Sequence, residues 1–418
     1  MKSQTKFKQT EIGKIPEGWE ILRVTDLGRV ITGKTPPTKI KEYFGSDFPF
    51  IKIPDLGKSV YIEKSETMLS KKGAGYMGNL KLPKDSVMVS CLATIGKVGI
   101  TKRDSFTNQQ INSLICNKDK VIPLWIYYFF KNNLFYLESL GGGGSVYTNI
   151  SKSRFENASI PIPRIKEQER IINILFDLDS KIEFNQQMNK SLEAIGQAIF
   201  KRWFVDFEFP NEKGKPYKSS GGEMVESELG KIPKGWGVGR FKDISKLQMG
   251  ISPKGNSYNE DRKGIPLLNG AADFSGKLIL PKKFTTEPIK KCNTGDLVFC
   301  IRATIGNVTF ADKEFCLGRG VAALKINNNF REFFYYSLIG SLEKMISSAT
   351  GSVIMGLSKT DIEDCKIIIP DNNLIKIFNK NLFSFFEMQK KLDEEIQSLS
   401  QIRDSLLPKL MSGKIRVI

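Results

Sequence analysis

The sequence predicts an α+β protein made of two pseudo-symmetric halves. Each half is a β-rich domain followed by a long helix, and the two long helices pair as an antiparallel coiled coil. Three observations predict this fold class. The chain repeats itself once, each repeat changes from short strand-like runs to a long helical pattern, and apolar residues in both helical patterns recur at heptad spacing.

The repeat is clearest at its start, where residues 11–36 align without gaps to residues 228–253 and eleven of the 26 positions are identical. Further matches follow in the same order: A-T-I-G at 93–96 and 303–306, G-S-V at 144–146 and 351–353, and Ile-Pro at 162–163 and 369–370. A repeat of this length is a duplicated multi-element domain, because solenoid repeats are far shorter.

The first part of each repeat consists of short β-like runs broken by glycine and proline, such as VMVSCLATIG and DLVFCIRATIG. These runs predict β-rich domains at residues 1–163 and 227–370. Trp19 and Trp236 stand at the same repeat position. We expect both to fill the domain cores rather than to stack on bases.

The long helical patterns, at residues 164–205 and 371–418, carry a heptad seam in the same register twice, with seven of ten and eight of ten positions apolar. The alternative is two ordinary amphipathic helices packed on their own domains. Lengths near 40 residues, against about 11 or 12 for a typical helix, favour pairing. The polar seam residues Asn185, Asn189 and Arg403 are predicted to set register or orientation. The apolar seam residues are Ile171, Leu175, Leu178, Ile182, Leu192, Ile199, Phe378, Leu382, Phe385, Leu392, Ile396, Leu399 and Leu406.

Composition narrows the function. The 418-residue chain has a net charge of +18, which favours a polyanionic partner. It has no histidine, which excludes His-based triads and metal sites, and its six scattered cysteines form no zinc pattern. No apolar run is long enough to span a membrane and no signal peptide begins the chain, so we expect a cytoplasmic protein with no membrane partner. Residues 206–226, rich in Pro, Gly, Ser and charge, are predicted to be a linker, and Asp393–Glu395 a solvated helix face.

Residues 28–35, GRVITGKT, match the phosphate-binding pattern G-x-x-x-x-G-K-[ST]. Two prolines follow at 36–37, where the helix of such a loop would begin, and proline restrains the preceding residue toward extended conformations. The second repeat replaces Lys34 by Ile251 but keeps a glycine at the position of Gly33. The sequence therefore predicts a glycine turn, not a nucleotide site.

The repeated [ED]-[IL]-G-K-I-P-x-G-W entry, the A-T-I-G run, the G-S-V…S-K stretch and the long helix closing each half resemble the specificity subunit of type I restriction-modification systems. The stretch KRWFVDFEFPNEKGKPYKSSGGEM, at 201–224, is similar to the central region of that family. The resemblance implies that the β-rich halves are target recognition domains. Each would read one part of a bipartite, asymmetric site in double-stranded DNA.

The same resemblance implies that the helices set the spacing between half-sites and dock two modification (methyltransferase) subunits, which restriction subunits then join. It implies a non-catalytic chain with no metal or cofactor of its own. S-adenosylmethionine is expected in the modification subunits, and ATP and Mg²⁺ in the restriction subunits. The alternative is a non-enzymatic coiled-coil scaffold or adaptor whose basic charge is incidental.

Candidate DNA contacts are loop residues whose side chains reach phosphates and base edges. In the first half they are Lys34, Thr35, Lys39, Ser90, Thr94, Lys97, Asn108, Gln109, Gln110, Ser145, Tyr147 and Lys152. In the second half they are Lys254, Asn256, Arg302, Thr304, Asn307, Arg319, Ser352 and Lys359. Amides suit adenine and Arg319 suits guanine. For each residue the alternative is a solvated loop. The glycine run at 141–144 fits either a flexible linker or a backbone that approaches a partner closely.

Overall fold

The chain divides into two compact units, residues 1–183 with 398–418 (unit 1) and residues 184–397 (unit 2). Both boundaries fall inside the long helices, so each unit contains one β-rich repeat and a part of each helix. The structure, a computed structural model, describes residues 6–141, 149–302, 304–348 and 356–417.

Unit 1 holds the elements of the first repeat. Its strands are β1 (Phe7–Thr10), β2 (Gly13–Pro16), β3 (Glu20–Arg23), β4 (Gly28–Thr32), β5 (Phe44–Ile51), β6 (Tyr61–Ile62), β7 (Met68–Leu69), β8 (Val87–Ser90), β9 (Val98–Thr101), β10 (Phe106–Thr107), β11 (Ile111–Cys116) and β12 (Ser159–Ile162). Its short helices are α1 (Val24–Leu27), α2 (Lys71–Met77), α3 (Pro123–Asn132), α4 (Leu134–Leu140) and α5 (Lys152–Glu156). The chain then enters the first long helix, α6 (Ile165–Phe200), which a π-helical turn extends over Lys201–Val205.

The main sheet of unit 1 has the strand order β4-β11-β8-β9-β6, and a second sheet has the order β10-β5-β7. Neighbouring strands are antiparallel except for β6 with β9 and β10 with β5, which are parallel. Strand β11 lies between β4 and β8, with Asn112 opposite Thr32 on one side and Val89 on the other. The C-terminal ends of β4 and β8 and the N-terminal end of β11 therefore lie together at one end of the main sheet's strands.

Unit 2 repeats this plan with different short strands. Its strands are β13 (Met224–Ser227), β14 (Gly230–Pro233), β15 (Gly237–Arg240), β16 (Lys246–Met249), β17 (Tyr258–Asn259), β18 (Ile265–Leu268), β19 (Phe274–Ser275), β20 (Leu278–Ile279), β21 (Phe284–Thr285), β22 (Lys291–Cys292), β23 (Leu297–Cys300), β24 (Val308–Phe310), β25 (Phe315–Leu317), β26 (Val321–Lys325) and β27 (Lys366–Ile369). Its helices are α7 (Phe241–Ile244), α8 (Arg331–Ser348), α9 (Lys359–Glu363) and the second long helix, α10 (Asn372–Met411). The main sheet has the order β16-β26-β23-β24, equivalent to β4-β11-β8-β9.

The two tryptophans of the repeated entry motif are buried, with Trp19 1% and Trp236 9% exposed. Trp19 packs edge-to-face on Trp125 in the core of unit 1, with ring centroids 5.4 Å apart. The predicted linker, by contrast, is packed: Phe207 and Phe209 are buried, and Phe209 stacks on Trp236 with ring centroids 5.0 Å apart. Residues 206–223 contain no helix and no named strand, strand β13 begins at Met224, and Phe207 and Phe209 belong to the core of unit 2.

The long helices pair antiparallel, as the heptad seam predicts. In unit 1, Asp179 of α6 accepts a 2.7 Å hydrogen bond from Nη1 of Arg403 of α10. In unit 2, Asn185 Nδ2 donates to Glu395 Oε2 at 2.8 Å. Every apolar seam residue named above is buried or half-buried. Helix α10 continues through Pro408 to Met411 and ends before the predicted boundary at 418.

Candidate nucleic-acid interface

Four loops of unit 1 that are far apart in sequence meet at one end of the main sheet's strands. Lys34 N donates to Thr107 O at 3.0 Å, which ties the loop after β4 to the end of β10, directly before the loop that leads into β11. Cys91 N donates to Gln110 O at 2.8 Å, and Cys91 O accepts from Ile150 N at 2.9 Å. We call this group loop cluster 1; it comprises residues 33–35, 90–97, 108–110 and 149–151.

The equivalent loops of unit 2 meet in the same way. Ile251 N donates to Leu317 O at 2.9 Å, and Arg319 N donates to Ser252 Oγ at 3.3 Å. Ile301 completes the group, since its N donates to Gly320 O and its O accepts from Leu357 N. Loop cluster 2 comprises residues 250–252, 301–302, 304–307, 318–320 and 356–358.

A glycine is required where each first loop leaves its strand. A Cβ on Gly33 would lie 2.2 Å from Thr107 O, and a Cβ on Gly250 would lie 2.1 Å from Gly318 O. These contacts explain why the repeat keeps this glycine while its neighbours change. Residues 28–32 form strand β4 paired to β11, so GRVITGKT is a strand and a loop and lacks the helix of a phosphate-binding loop.

The exposed side chains of loop cluster 1 form a polar surface. Thr35 Oγ1 donates to Gln109 Oε1 at 2.7 Å, while Lys34 and Thr94 are exposed and Lys97 and Gln110 are half-buried. Among the other candidates of this half, Lys39 is exposed further along the first loop.

Two candidates of this cluster point inward. Ser90 is fully buried and its Oγ accepts a hydrogen bond from Lys97 N at 2.9 Å. Asn108 is 8% exposed, and its Nδ2 donates to Gln110 Oε1 at 2.9 Å. Both side chains are used to hold the loops together, so we omit them from the contact set proposed below.

Sequence reasoning missed an aromatic pair beside loop cluster 1. Tyr43 and Tyr76 stack with ring centroids 4.9 Å apart and 24° between the ring planes. Lys34 Nζ lies 5.5 Å from the centroid of the Tyr76 ring, and Tyr76 is 43% exposed. Tyr76 lies on α2, and the equivalent stretch of unit 2, residues 281–290, holds only strand β21. Comparison of the two repeats in the sequence therefore could not have indicated the Tyr43–Tyr76 pair.

Loop cluster 2 exposes different side chains on the same backbone plan. Arg302, Thr304 and Arg319 are exposed, and Asn307 is half-buried. Lys254 and Asn256 are exposed further along the first loop.

Lys152 and Lys359 begin the equivalent helices α5 and α9, directly after residues that join the clusters. Both are exposed, and they lie 3.5 Å and 3.4 Å from Glu156 and Glu363, respectively. The remaining candidates, Ser145, Tyr147 and Ser352, lie outside the described residues, as does the rest of the glycine-rich run after residue 141.

Neither loop cluster contains an aspartate or glutamate, whereas both contain lysine or arginine. Each is therefore a surface to which phosphate groups are attracted. Burial raises the pKa of the Cys91 thiol to about 11 and that of Cys300 to about 12, so both stay protonated at neutral pH. Across the described ranges, no three or more Cys, Asp or Glu side chains are grouped so as to hold a metal ion. None of the helices in the described part of the chain is long and apolar enough to cross a membrane.

Residues 16–194 and 233–398 match the model of the type I restriction modification DNA specificity domain. The specificity subunit of the type I restriction enzyme MjaIX from Methanocaldococcus jannaschii is 34% identical over 435 residues, which cover 99% of this chain and 97% of that protein. The HindI specificity subunit from Haemophilus influenzae is 37% identical over 195 residues, which cover 45% of this chain and 41% of that protein. The crystal structure of a type I restriction-modification S subunit from M. genitalium superposes with a TM-score of 0.60 at 18% identity, over 97% of this chain and 98% of that one. The last match shows the shared fold.

Proposed function

The chain belongs to the family of type I restriction-modification DNA specificity subunits, and we propose that it reads the two parts of its DNA site through loop clusters 1 and 2. It is a non-catalytic component of such a complex. The alternative interpretation, a coiled-coil scaffold whose basic charge is incidental, is therefore set aside. In a DNA specificity subunit the positive charge has DNA as its partner.

One observation carries the assignment of the reading surface: the duplicated domain presents the same backbone junction twice with different side chains. Loop cluster 1 offers the amide of Gln109 and the ammonium group of Lys34, whereas loop cluster 2 offers the guanidinium groups of Arg302 and Arg319. An amide pairs with two groups on adenine and a guanidinium with two acceptors on guanine. A common junction with different readers is what recognition of two different half-sites requires.

The proposed contact set consists of the candidates that the structure leaves on the surface. In the first half they are Lys34, Thr35, Lys39, Thr94, Lys97, Gln109, Gln110 and Lys152. In the second half they are Lys254, Asn256, Arg302, Thr304, Asn307, Arg319 and Lys359. Tyr43 and Tyr76 join the first group because the cation of Lys34 lies over the Tyr76 ring.

The remaining parts of the assembly follow from the family. We propose that the paired helices set the distance between half-sites and dock two modification subunits, which supply S-adenosylmethionine and methyl transfer. Restriction subunits with ATP and Mg²⁺ would join that core. The complex would act on DNA in the cytoplasm.

The test uses a complex of this chain with its modification subunits and a library of duplexes with randomised sequence. Sequencing of the methylated fraction should give two short motifs separated by a fixed spacer. Scrambling either motif in a defined duplex should abolish salt-resistant binding in a gel shift. Methylation without any sequence preference would overturn the proposal.

Two variants assign the motifs to the clusters. Gln109→Ala should reduce the discrimination between base pairs at one position of one motif by about 1–3 kcal/mol and leave the other motif unchanged. Arg319→Ala should have the same effect on the other motif and leave the first unchanged. Each variant is the control for the other, and Gln9→Ala, an exposed glutamine on β1, should change neither motif. Relaxation of the same motif by both variants would contradict the assignment.

A further inference from the structure

Each β-rich domain is fastened to a long helix through the backbone amide that precedes one short strand. In unit 1, Val60 N, just before β6, donates to Glu183 Oε1 of α6 at 2.7 Å. In unit 2, Lys277 N, just before β20, donates to Asp393 Oδ2 of α10 at 2.7 Å. We call these two hydrogen bonds the docking contacts.

The docking contacts are equivalent in the duplicated plan. Val60 and Lys277 are 217 positions apart, which is the offset at the start of the repeat, and each is followed two residues later by isoleucine. Each acceptor lies on the long helix that closes the same repeat. The acceptors themselves are not at equivalent helix positions, so alignment of the repeats cannot reveal the contact.

In unit 2 the docking contact is reinforced by the side chain of the same residue. Lys277 Nζ donates to Glu193 Oε2 of α6 at 2.9 Å and also to the Tyr335 hydroxyl. It lies 4.1 Å from the centroid of the Tyr335 ring and 4.8 Å from that of Phe386 on α10. The Lys277 side chain is 12% exposed, and Thr309 Oγ1 donates to its carbonyl oxygen at 2.8 Å. One residue therefore joins the main sheet, α8 and both long helices.

The tip of the β20 hairpin packs directly on Asp393 and leaves no room for a side chain there. Gly276 has φ of 60°, and a Cβ there would lie 2.3 Å from the Asp393 carboxylate. The same Asp393 accepts from Asn189 Nδ2 of α6 at 2.7 Å through its other oxygen. The position of the β20 hairpin is thereby fixed against both helices at once.

We propose that the docking contacts, with the Lys277–Glu193 ion pair, position the reading surfaces on the helices and so restrict the complex to one spacer length. This rests on the function proposed above. One added base pair moves the next half-site by about 3.4 Å along the duplex and rotates it by about 35°. Hydrogen bonds of 2.7–2.9 Å cannot follow such a shift without breaking. Spacing then depends on how the domains are fastened to the helices as well as on helix length.

The experiment measures methylation by the complex of this chain with its modification subunits, on duplexes that keep both half-sites and vary the spacer by one base pair at a time. Lys277→Met removes the ion pair but leaves the half-buried Glu193 without this cation. The double variant Lys277→Met/Glu193→Gln removes both charges and keeps the side-chain volumes, so the fold has a neutral alternative. Lys190→Met is the matched control, because Lys190 is an exposed lysine on α6, the helix that carries Glu193.

We expect the double variant to methylate spacers one base pair longer and shorter at rates within about tenfold of the best spacer, with unchanged half-site motifs. Glu183→Met, which removes the oxygen that accepts from Val60 N, should broaden the spacing in the same way from the other unit, while Lys190→Met keeps the wild-type profile. A folded double variant with the wild-type spacer profile would overturn the inference, as would a broadened spacer accompanied by altered motifs. Failure of the proposed function is distinguishable, since the wild-type complex would then show no bipartite motif at all.

Discussion

Asp179 is a buried charge of unit 1 with three polar partners, and its removal gives a quantitative test of how the domain is held to the helix pair. The residue lies on α6 and is 4% exposed. Its carboxylate accepts from Arg403 Nη1 of α10 at 2.7 Å, from the Tyr128 hydroxyl of α3 at 3.0 Å and from Lys131 Nζ at 3.3 Å. Asp179→Asn keeps the size of the side chain but leaves two cations facing each other.

The expected cost follows from the exposure of those cations. Removing one partner of a fully buried pair costs about 3–5 kcal/mol. The Arg403 and Lys131 side chains are 17% and 30% exposed, so water recovers a part of their solvation and we expect a loss of about 2–3 kcal/mol. For a unit of about 200 residues this lowers Tm by roughly 4–12 °C.

The assay is a double-mutant cycle on the full chain, read by calorimetry. Arg403→Met alone should cost less than Asp179→Asn, because Lys131 still neutralises the carboxylate. The double variant should lose at least about 1 kcal/mol less than the sum of the two single losses, since the pair is coupled. Lys152→Met, which removes an exposed partner of Glu156, is the control and should cost at most about 0.5 kcal/mol. Additive losses within about 0.5 kcal/mol would refute the ionic connection.

Three further predictions concern pH, the cluster glycines and the helix pair. Burial, opposed in part by the neighbouring Arg331, raises the pKa of Glu332, so its protonated form is favoured in the fold and stability declines as pH rises through that raised pKa. Glu332→Gln should therefore melt higher than wild type at pH 7.5, with the gain disappearing near about pH 4 in a thermal-denaturation series. Gly33→Ala should abolish reading of one half-site in the library assay, because a Cβ would meet Thr107 O, whereas Gly255→Ala, with open space around it, should be neutral. Deleting one heptad from both long helices should shorten the preferred spacer by about three base pairs, since seven residues span about 10.5 Å, and deletion from one helix alone should instead abolish sharp spacing.

The features that the sequence predicted correctly are those indicated by patterns of residues that repeat along the chain. The duplication and the antiparallel helix pair are confirmed, and both depend on patterns that repeat along the chain. Retention of Gly33 and Gly250 also marked two positions where a close backbone approach excludes every side chain.

What the sequence did not predict depends on partners that are distant in the chain. Phe207 and Phe209 lie in a stretch with the composition of a linker, yet they are buried because Trp236 offers them an aromatic surface. Ser90 has a side chain suited to phosphate but is used inside the loop. Residue type gives the chemistry that a side chain can perform, whereas its direction is set by tertiary packing.

Asp393 shows how far such tertiary context extends. Its neighbours in sequence are acidic, and the run from Asp393 to Glu395 indicated a solvated face, but Asp393 is half-buried between the helices and the β20 hairpin. One oxygen accepts from Asn189 and fixes the register of α6 against α10, while the other accepts from Lys277 N and fixes the hairpin. An apolar seam alone would tolerate a slip of one heptad, because it repeats every seven residues. A slip here would separate Asn189 from Asp393 and move the hairpin's acceptor by about 10.5 Å. Helix register and domain position are therefore specified by the same carboxylate, so neither can change without the other.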